Sequence, residues 1–250
     1  MADTVLQVKN LSKAFIKDGV KIGAVRNVSF ELSEGEILGI AGESGSGKST
    51  LSRLCMNLIR PDGGEIFICG ERLSARSVKS LRPKIQMVFQ NPADTFNPAY
   101  SIGSGLSGAG RDLGIEREKC AERISELLKI TGLPESVLKR RPKELSGGQL
   151  QRLAIVRALL CEPKVLIADE AVSSLDVSVS ANIINLLLDL RERLGIAMLF
   201  ISHDLAVIGH ISDRVGVMFA GELVELGKTQ RVLNFPEHEY TKRLLSARLD

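Results

Sequence analysis

The sequence predicts an α/β fold: a parallel-sheet core that carries an antiparallel β layer and is interrupted by an inserted helical subdomain. Three observations predict it. The first third of the chain alternates strand patterns with turns. Residues 165–201 read strand, helix, strand, which calls for a parallel pair. Between these, residues 91–161 change to the spacing of helices.

Taken in order, residues 5–8 open the strand pattern, and Val28, Phe30 and Leu32 then alternate with Ser29 and Glu31. Residues 36–41 (EILGIA) form a short apolar run, as expected of a buried strand, and residues 50–57 can continue as a helix. The turn Pro61-Asp62-Gly63-Gly64 leads into a strand at 65–69. A further strand at 85–89 (IQMVF) ends in Gln90-Asn91-Pro92, where proline cannot continue a ladder. Residues 91 to about 115 read as a loop, with Gly103, Gly105, Gly108, Gly110 and Gly114. Ala121, Ile124, Leu127 and Leu128 then recur at helical spacing within 116–130, and a second helical piece spans 146–160. Strands at 165–168 and 197–201 flank a helix at 178–194 whose apolar face carries Ile183, Leu187, Leu190 and Leu194. Residues 215–219 and 223–226 pair around Ala220-Gly221 as a hairpin. This gives one domain over 1–250, with an α/β core at 1–90 and 162–250 and the helical subdomain at 91–161.

Composition excludes several classes of function. With 33 Lys plus Arg against 30 Asp plus Glu, the surface charge is mixed and argues for no nucleic-acid partner. Cys55, Cys69, Cys120 and Cys161 are far apart, and three His complete no metal site, so the cysteines read as reduced, small apolar residues. No apolar run approaches the ~18 residues of a membrane span, and the first residues, MADTVLQVKN, lack a basic then apolar leader. The expectation is a cytoplasmic chain that reaches a membrane only through partners.

The chemistry concentrates in residues 42–50, GESGSGKST, between the strand at 36–41 and the helix that follows. The stretch fits G-x-x-x-x-G-K-[ST], in which glycines let backbone N–H groups crowd around phosphate oxygens at a positive helix end. Gly42, Ser44, Gly45, Ser46, Gly47 and Thr50 would build the cradle, Lys48 would reach the β and γ phosphates, and Ser49 would ligate Mg²⁺. A chance match in a chain this long has odds of about one per cent. Asp169 and Glu170 emerge from the strand at 165–168, where open α/β sheets place ligands. Asp169 would hold Mg²⁺ through its water shell, and Glu170 would act as general base on a water. His203, after the strand at 197–201, would hydrogen-bond the γ phosphate or that water, and Gln90 could reach Mg²⁺ or the water. A second anion-binding turn, Leu145-Ser146-Gly147-Gly148-Gln149, stands about a hundred residues from the first, with Ser146 as helix cap.

These motifs, in this order, resemble the ATP-binding cassette family over essentially the whole chain: the phosphate loop, Gln90, LSGGQ, the acidic strand end, Ser174-Leu175-Asp176 and His203. The resemblance implies a P-loop NTPase (RecA-like) core, the cofactors ATP and Mg²⁺, and ATP hydrolysis coupled to transport. It implies that Phe15 stacks on adenine, although the residues alone allow Phe15 a place in the core. It also implies that Asp176 couples two nucleotide sites, and that Ser146, Gly147, Gly148 and Gln149 approach the γ phosphate bound to another subunit.

Within the family, the stretches 38–47, 84–90, 200–205 and 238–241 are similar to the dipeptide, oligopeptide and nickel importer branch. Partners would then be a second ATP-binding subunit, two transmembrane permease subunits and, indirectly, an extracytoplasmic substrate-binding protein, with the chain peripheral on the cytoplasmic face of the membrane. Ala171 follows Glu170 where most relatives have Pro, as in nickel-type members. Many peptide-type members extend further with a cysteine-containing segment; the chain reaches Asp250 without those cysteines, so no iron–sulfur cluster is expected. The rival expectation is a soluble cassette protein acting on DNA or ribosomes.

Overall fold

The computed structural model describes residues 3–173 and 175–246; Ser174, the first residue of the Ser174-Leu175-Asp176 motif, lies outside the described residues. Strands β1 (Thr4–Lys17) and β2 (Val20–Ser33) form a hairpin about three times as long as the sequence pattern suggests, because its outer half is solvent-exposed and loses the alternation. Strand β3 (Ile37–Ala41) is buried throughout and feeds helix α1 (Lys48–Cys55), which starts two residues earlier than expected. Strands β4 (Gly63–Ile68) and β5 (Glu71–Arg72) complete an antiparallel sheet in the order β2-β1-β4-β5. The glycines read as a turn at 63 and 64 belong to β4, where Gly63 pairs with Ser12 across an irregularity in the ladder.

A short helix α2 (Val78–Leu81) leads into β6 (Ile85–Val88), and the chain then leaves the core. The expectation of a loop over 91–115 is overturned: α3 runs Ile102–Asp112. Ser101 caps it by accepting the Ser104 N–H at 3.3 Å, and Ile102 and Leu106, one turn apart, are fully buried. Three of its four glycines, Gly103, Gly105 and Gly110, serve close packing. A Cβ on Gly110 would stand 2.2 Å from Cys120 Sγ, and one on Gly103 would stand 3.0 Å from the Leu138 carbonyl. Helices α4 (Arg117–Ile130) and α5 (Gly147–Leu159) follow, and α5 is buried on most sides, since it packs on α4 and on β6 of the core.

The chain returns through β7 (Val165–Asp169), α6 (Val177–Leu194), β8 (Ala197–Ile201), α7 (Leu205–Ile211), β9 (Arg214–Phe219) and β10 (Glu222–Lys228), and closes with α8 (Thr229–Asn234) and α9 (Glu239–Ser246). The second sheet has the order β10-β9-β3-β8-β7-β6. Its five strands from β9 to β6 are mutually parallel, and β10 joins β9 as the antiparallel arm of the expected hairpin.

The central sheet is apolar on both faces because two layers cover it. Leu38, Ile40, Ile167, Leu199 and Ile201 face α1 and the antiparallel sheet, while Ile37, Ala41, Leu166, Ala168 and Phe200 face the helices. The two-residue period of a strand divides these side chains between two cores, each fully buried side chain contributing about 1.5–3 kcal/mol. Gly39 marks the closest helix approach: a Cβ there would stand 2.4 Å from Ser212 Oγ and 2.7 Å from Ile208 Cγ2, just after and within α7. Gly39→Val is therefore expected to lower unfolding free energy in urea by about 1–3 kcal/mol, the range for overpacking a close-packed core.

Candidate functional site

Five parallel strands end at one edge, and four of them deliver the predicted residues there. The phosphate loop follows β3, Gln90 follows β6, Asp169 and Glu170 close β7, and His203 follows β8. Residues 120 or more positions apart meet at this edge because register and strand direction are shared.

The loop itself depends on positive backbone φ at Gly42 (149°), Gly45 (82°) and Gly47 (109°). It is also close-packed from behind: a Cβ on Gly42 would stand 2.3 Å from the Met218 carbonyl oxygen, and one on Gly47 2.1 Å from that of Ala24. Lys48 folds back under the loop, and its Nζ donates to the carbonyls of Gly42 at 2.7 Å and Glu43 at 2.8 Å. Burial lowers its pKa, and the charges of Glu170, Asp169 and Glu43 oppose that shift. The first hydrogen bond along α1 runs from Leu51 N–H to Gly47 at 2.9 Å, so the N–H groups of Lys48, Ser49 and Thr50 are orphan donors at a positive helix end. Ser44 and Gly45 form the exposed lip of the loop, while Ser46 is buried. A glycine cradle, orphan N–H groups and one buried ammonium fit a polyphosphate.

Asp169 is 5% exposed and accepts from two hydroxyls, Ser49 Oγ at 3.2 Å and Ser52 Oγ at 2.8 Å. Desolvation raises its pKa, and the two hydroxyl donors pull it back. Ser49 and Asp169 offer a hard, all-oxygen pair, the kind of donor set Mg²⁺ uses when phosphate oxygens and water complete its shell. The sequence reading missed Ser52, yet the signal was present: it lies three residues after Ser49 on a helix and so shares its face.

Glu170 has φ 49°, a left-handed conformation that a side chain adopts only when its surroundings hold it. Its N–H donates to the Ile201 carbonyl at 2.9 Å, which ties it to the neighbouring strand end. Gln90 Nε2 donates to Glu170 Oε2 at 3.0 Å, and His203 Nδ1 stands 3.8 Å from Oε1. Gln90 thus reaches the Glu170 side of the site. The His203 side chain is 59% exposed and open to a ligand.

The remaining predicted residues lie elsewhere. Phe15 is 42% exposed on β1, with Lys13 Nζ 5.7 Å from its ring centre, which removes the core alternative. Ser146 caps α5 in a full capping box: its hydroxyl accepts the Gln149 N–H at 3.3 Å, and the Gln149 side chain accepts the Ser146 N–H at 3.1 Å. A Cβ on Gly147 would stand 3.3 Å from Leu175 Cδ2, and one on Gly148 2.7 Å from Val179 Cγ1, so the two glycines let this turn press on the start of α6. Asp176 precedes α6 and is exposed. Among the described residues, no hydrogen bond joins 146–149 to the phosphate loop. Ser52→Ala, which leaves the buried Asp169 carboxylate one donor short, is expected to cost about 1–3 kcal/mol in chemical unfolding.

The geometry agrees with what the chain is similar to. A family model described as ABC transporter matches residues 25–173. The glutathione import ATP-binding protein GsiA of Salmonella choleraesuis (strain SC-B67) is 45% identical over 256 residues, covering 98% of this chain and 41% of that protein. GsiA of Escherichia coli (strain K12) is 46% identical with the same coverage. The chain spans about two fifths of the length of these curated relatives. Among solved structures, the dimeric post-hydrolysis state of the ATP-binding cassette MJ0796, bound to ADP and Pi, superposes with a TM-score of 0.79 at 30% identity, over 90% of this chain and 98% of that one. Structure of cbiO1 from Clostridium perfringens, part of the ABC transporter complex cbiONQ, gives 0.82 at 29% identity, over 99% and 97%. With a phosphate loop, an acidic strand end and a capped LSGGQ turn on a P-loop NTPase fold, the chain belongs to the ABC transporter family, as one of its ATPase cassettes.

Proposed function

We propose that this cassette is the ATP-hydrolysing subunit of an importer for di- and oligopeptides, with glutathione the first cargo to test. The observation that carries the hydrolytic part is the meeting of Gln90, Glu170 and His203 from three strand ends beside Lys48, Ser49 and Asp169. ATP supplies the bond to be broken, and Mg²⁺ the neutralising charge, when both are bound. Lys48 and the orphan N–H groups of α1 hold the phosphates, and Ser49 with Asp169 orients the metal. Glu170 takes the proton of the attacking water; Gln90 and His203, on its two carboxylate oxygens, fix where that carboxylate points. Phe15 stacks on adenine.

The cassette works as one of a pair. The placement of LSGGQ at the start of α5 in the helical part, and of the phosphate loop between β3 and α1 in the core, supports a site completed by Ser146, Gly147, Gly148 and Gln149 of a second cassette, with Asp176 between the two sites. The dimer named for MJ0796 supports the same assembly. Residues 1–90 and 162–250 then form the catalytic core, and the helical part at 91–161 carries the signature turn and passes its motion to two permease subunits. No helix of the described residues is long and apolar enough to cross a membrane, which suits a peripheral subunit on the cytoplasmic face. The peptide class rests on the importer-branch stretches and on the relatives named for glutathione import.

In the reconstituted transporter, Glu170→Gln is expected to lower kcat by 10²- to 10⁴-fold, about 3 to 5 kcal/mol of barrier, with ATP affinity kept. Lys48→Ala should instead weaken ATP binding. A Glu170→Gln variant that turned over at the wild-type rate would remove Glu170 as base. For cargo, saturable ATP-dependent uptake of labelled glutathione or dipeptide is expected in vesicles supplied with the binding protein; uptake of nickel alone would overturn the peptide reading, and co-purification only with ribosomes or DNA would overturn the importer.

A further inference from the structure

The phosphate loop is held from outside by a residue 197 positions away. The Glu43 N–H donates to Tyr240 Oη at 3.1 Å. That N–H shares a trans peptide plane with the Gly42 carbonyl, whose oxygen accepts Lys48 Nζ at 2.7 Å. In a trans peptide the N–H and C=O point in opposite directions. With the N–H fixed outward on Tyr240, the carbonyl is fixed inward on the ammonium. This plane needs such a hold, because Gly42, at φ 149°, leaves the peptide after it unusually free to rotate.

Tyr240 is itself firmly placed. It is 3% exposed in α9, its ring stacks on Phe219 at 4.1 Å between centres, and the Arg243 guanidinium lies 5.9 Å from the ring centre. Phe219 ends β9, and the turn after it reaches the loop again, through the Gly221 N–H donated to the Ser46 carbonyl at 3.0 Å. Burial pushes the Tyr240 hydroxyl above its ordinary pKa, so it remains a neutral phenol whose oxygen can accept.

We propose that Tyr240 is a positioning residue for ATP binding: it sets the Gly42–Glu43 peptide plane, and through that plane the height of the Lys48 ammonium beneath the phosphates. The role rests on the ATP-binding reading above. Tyr240→Phe keeps the stacked ring and removes only the hydroxyl. In the full chain, we expect amide hydrogen exchange at Glu43 to quicken at least tenfold, the ATP dissociation constant to rise about 3- to 10-fold, and the thermal midpoint to fall by no more than a few degrees. Phe219→Leu, which loosens the stack and keeps the hydroxyl, separates positioning from stability. If it lowers the thermal midpoint and Glu43 exchange stays slow, positioning stands; if a drop in midpoint alone speeds Glu43 as much as Tyr240→Phe does, it falls. Wild-type exchange and ATP affinity in Tyr240→Phe also overturn the role. A wild-type chain that binds no ATP overturns the nucleotide reading, and Glu43 exchange then decides the peptide hold alone.

Discussion

A buried ammonium must be solvated by something, and Lys48 is solvated by the loop it serves. It is 4% exposed, held by two carbonyl oxygens of its own loop and faced by the carboxylates of Asp169, Glu170 and Glu43. Desolvation lowers its pKa, and the charges of Glu170, Asp169 and Glu43 oppose that shift. The loop path, the acidic strand ends and the hydroxyls of Ser49 and Ser52 all answer to this one charge and the carboxylate beside it.

The parallel sheet supplies the frame. Its strands are short and buried on both faces, so their register is fixed by two independent cores. Fixed register places strand ends, and strand ends place Asp169, Glu170 and His203 without help from flexible loops. The antiparallel sheet contributes in a second way: the Ala24 carbonyl stands where a Cβ on Gly47 would go, so the long β1–β2 hairpin backs the phosphate loop as well as covering the core.

Much of this was legible in the sequence, for physical reasons. Short apolar runs read as buried strands since both faces are covered, and the phosphate loop stands out because its glycines are needed for backbone shape. The same residue misled at 91–115, where Gly103, Gly105 and Gly110 mark close helix contacts and leave the helix intact. Composition cannot separate a glycine that bends from one that makes room. The hairpin at 4–33 was under-read because exposed strand ends carry no alternation. Tyr240 escaped as a site residue because its meaning lies in a partner 197 residues away, Glu43, whereas Ser52 carried a local signal in its helical spacing from Ser49.

The glycines of the signature turn have one more consequence. Gly147 and Gly148 rest on Leu175 and Val179, and that stretch follows Glu170 by only a few residues. The turn at Ser146 to Gln149 is therefore packed against the segment that leaves the acidic strand end. Linkage between two such places is reciprocal by thermodynamic necessity. If a ligand at the turn changes the free energy of the strand end, occupancy of the strand end returns the same increment to the turn. The one-way vocabulary of sender and receiver does not apply to a joint of this kind.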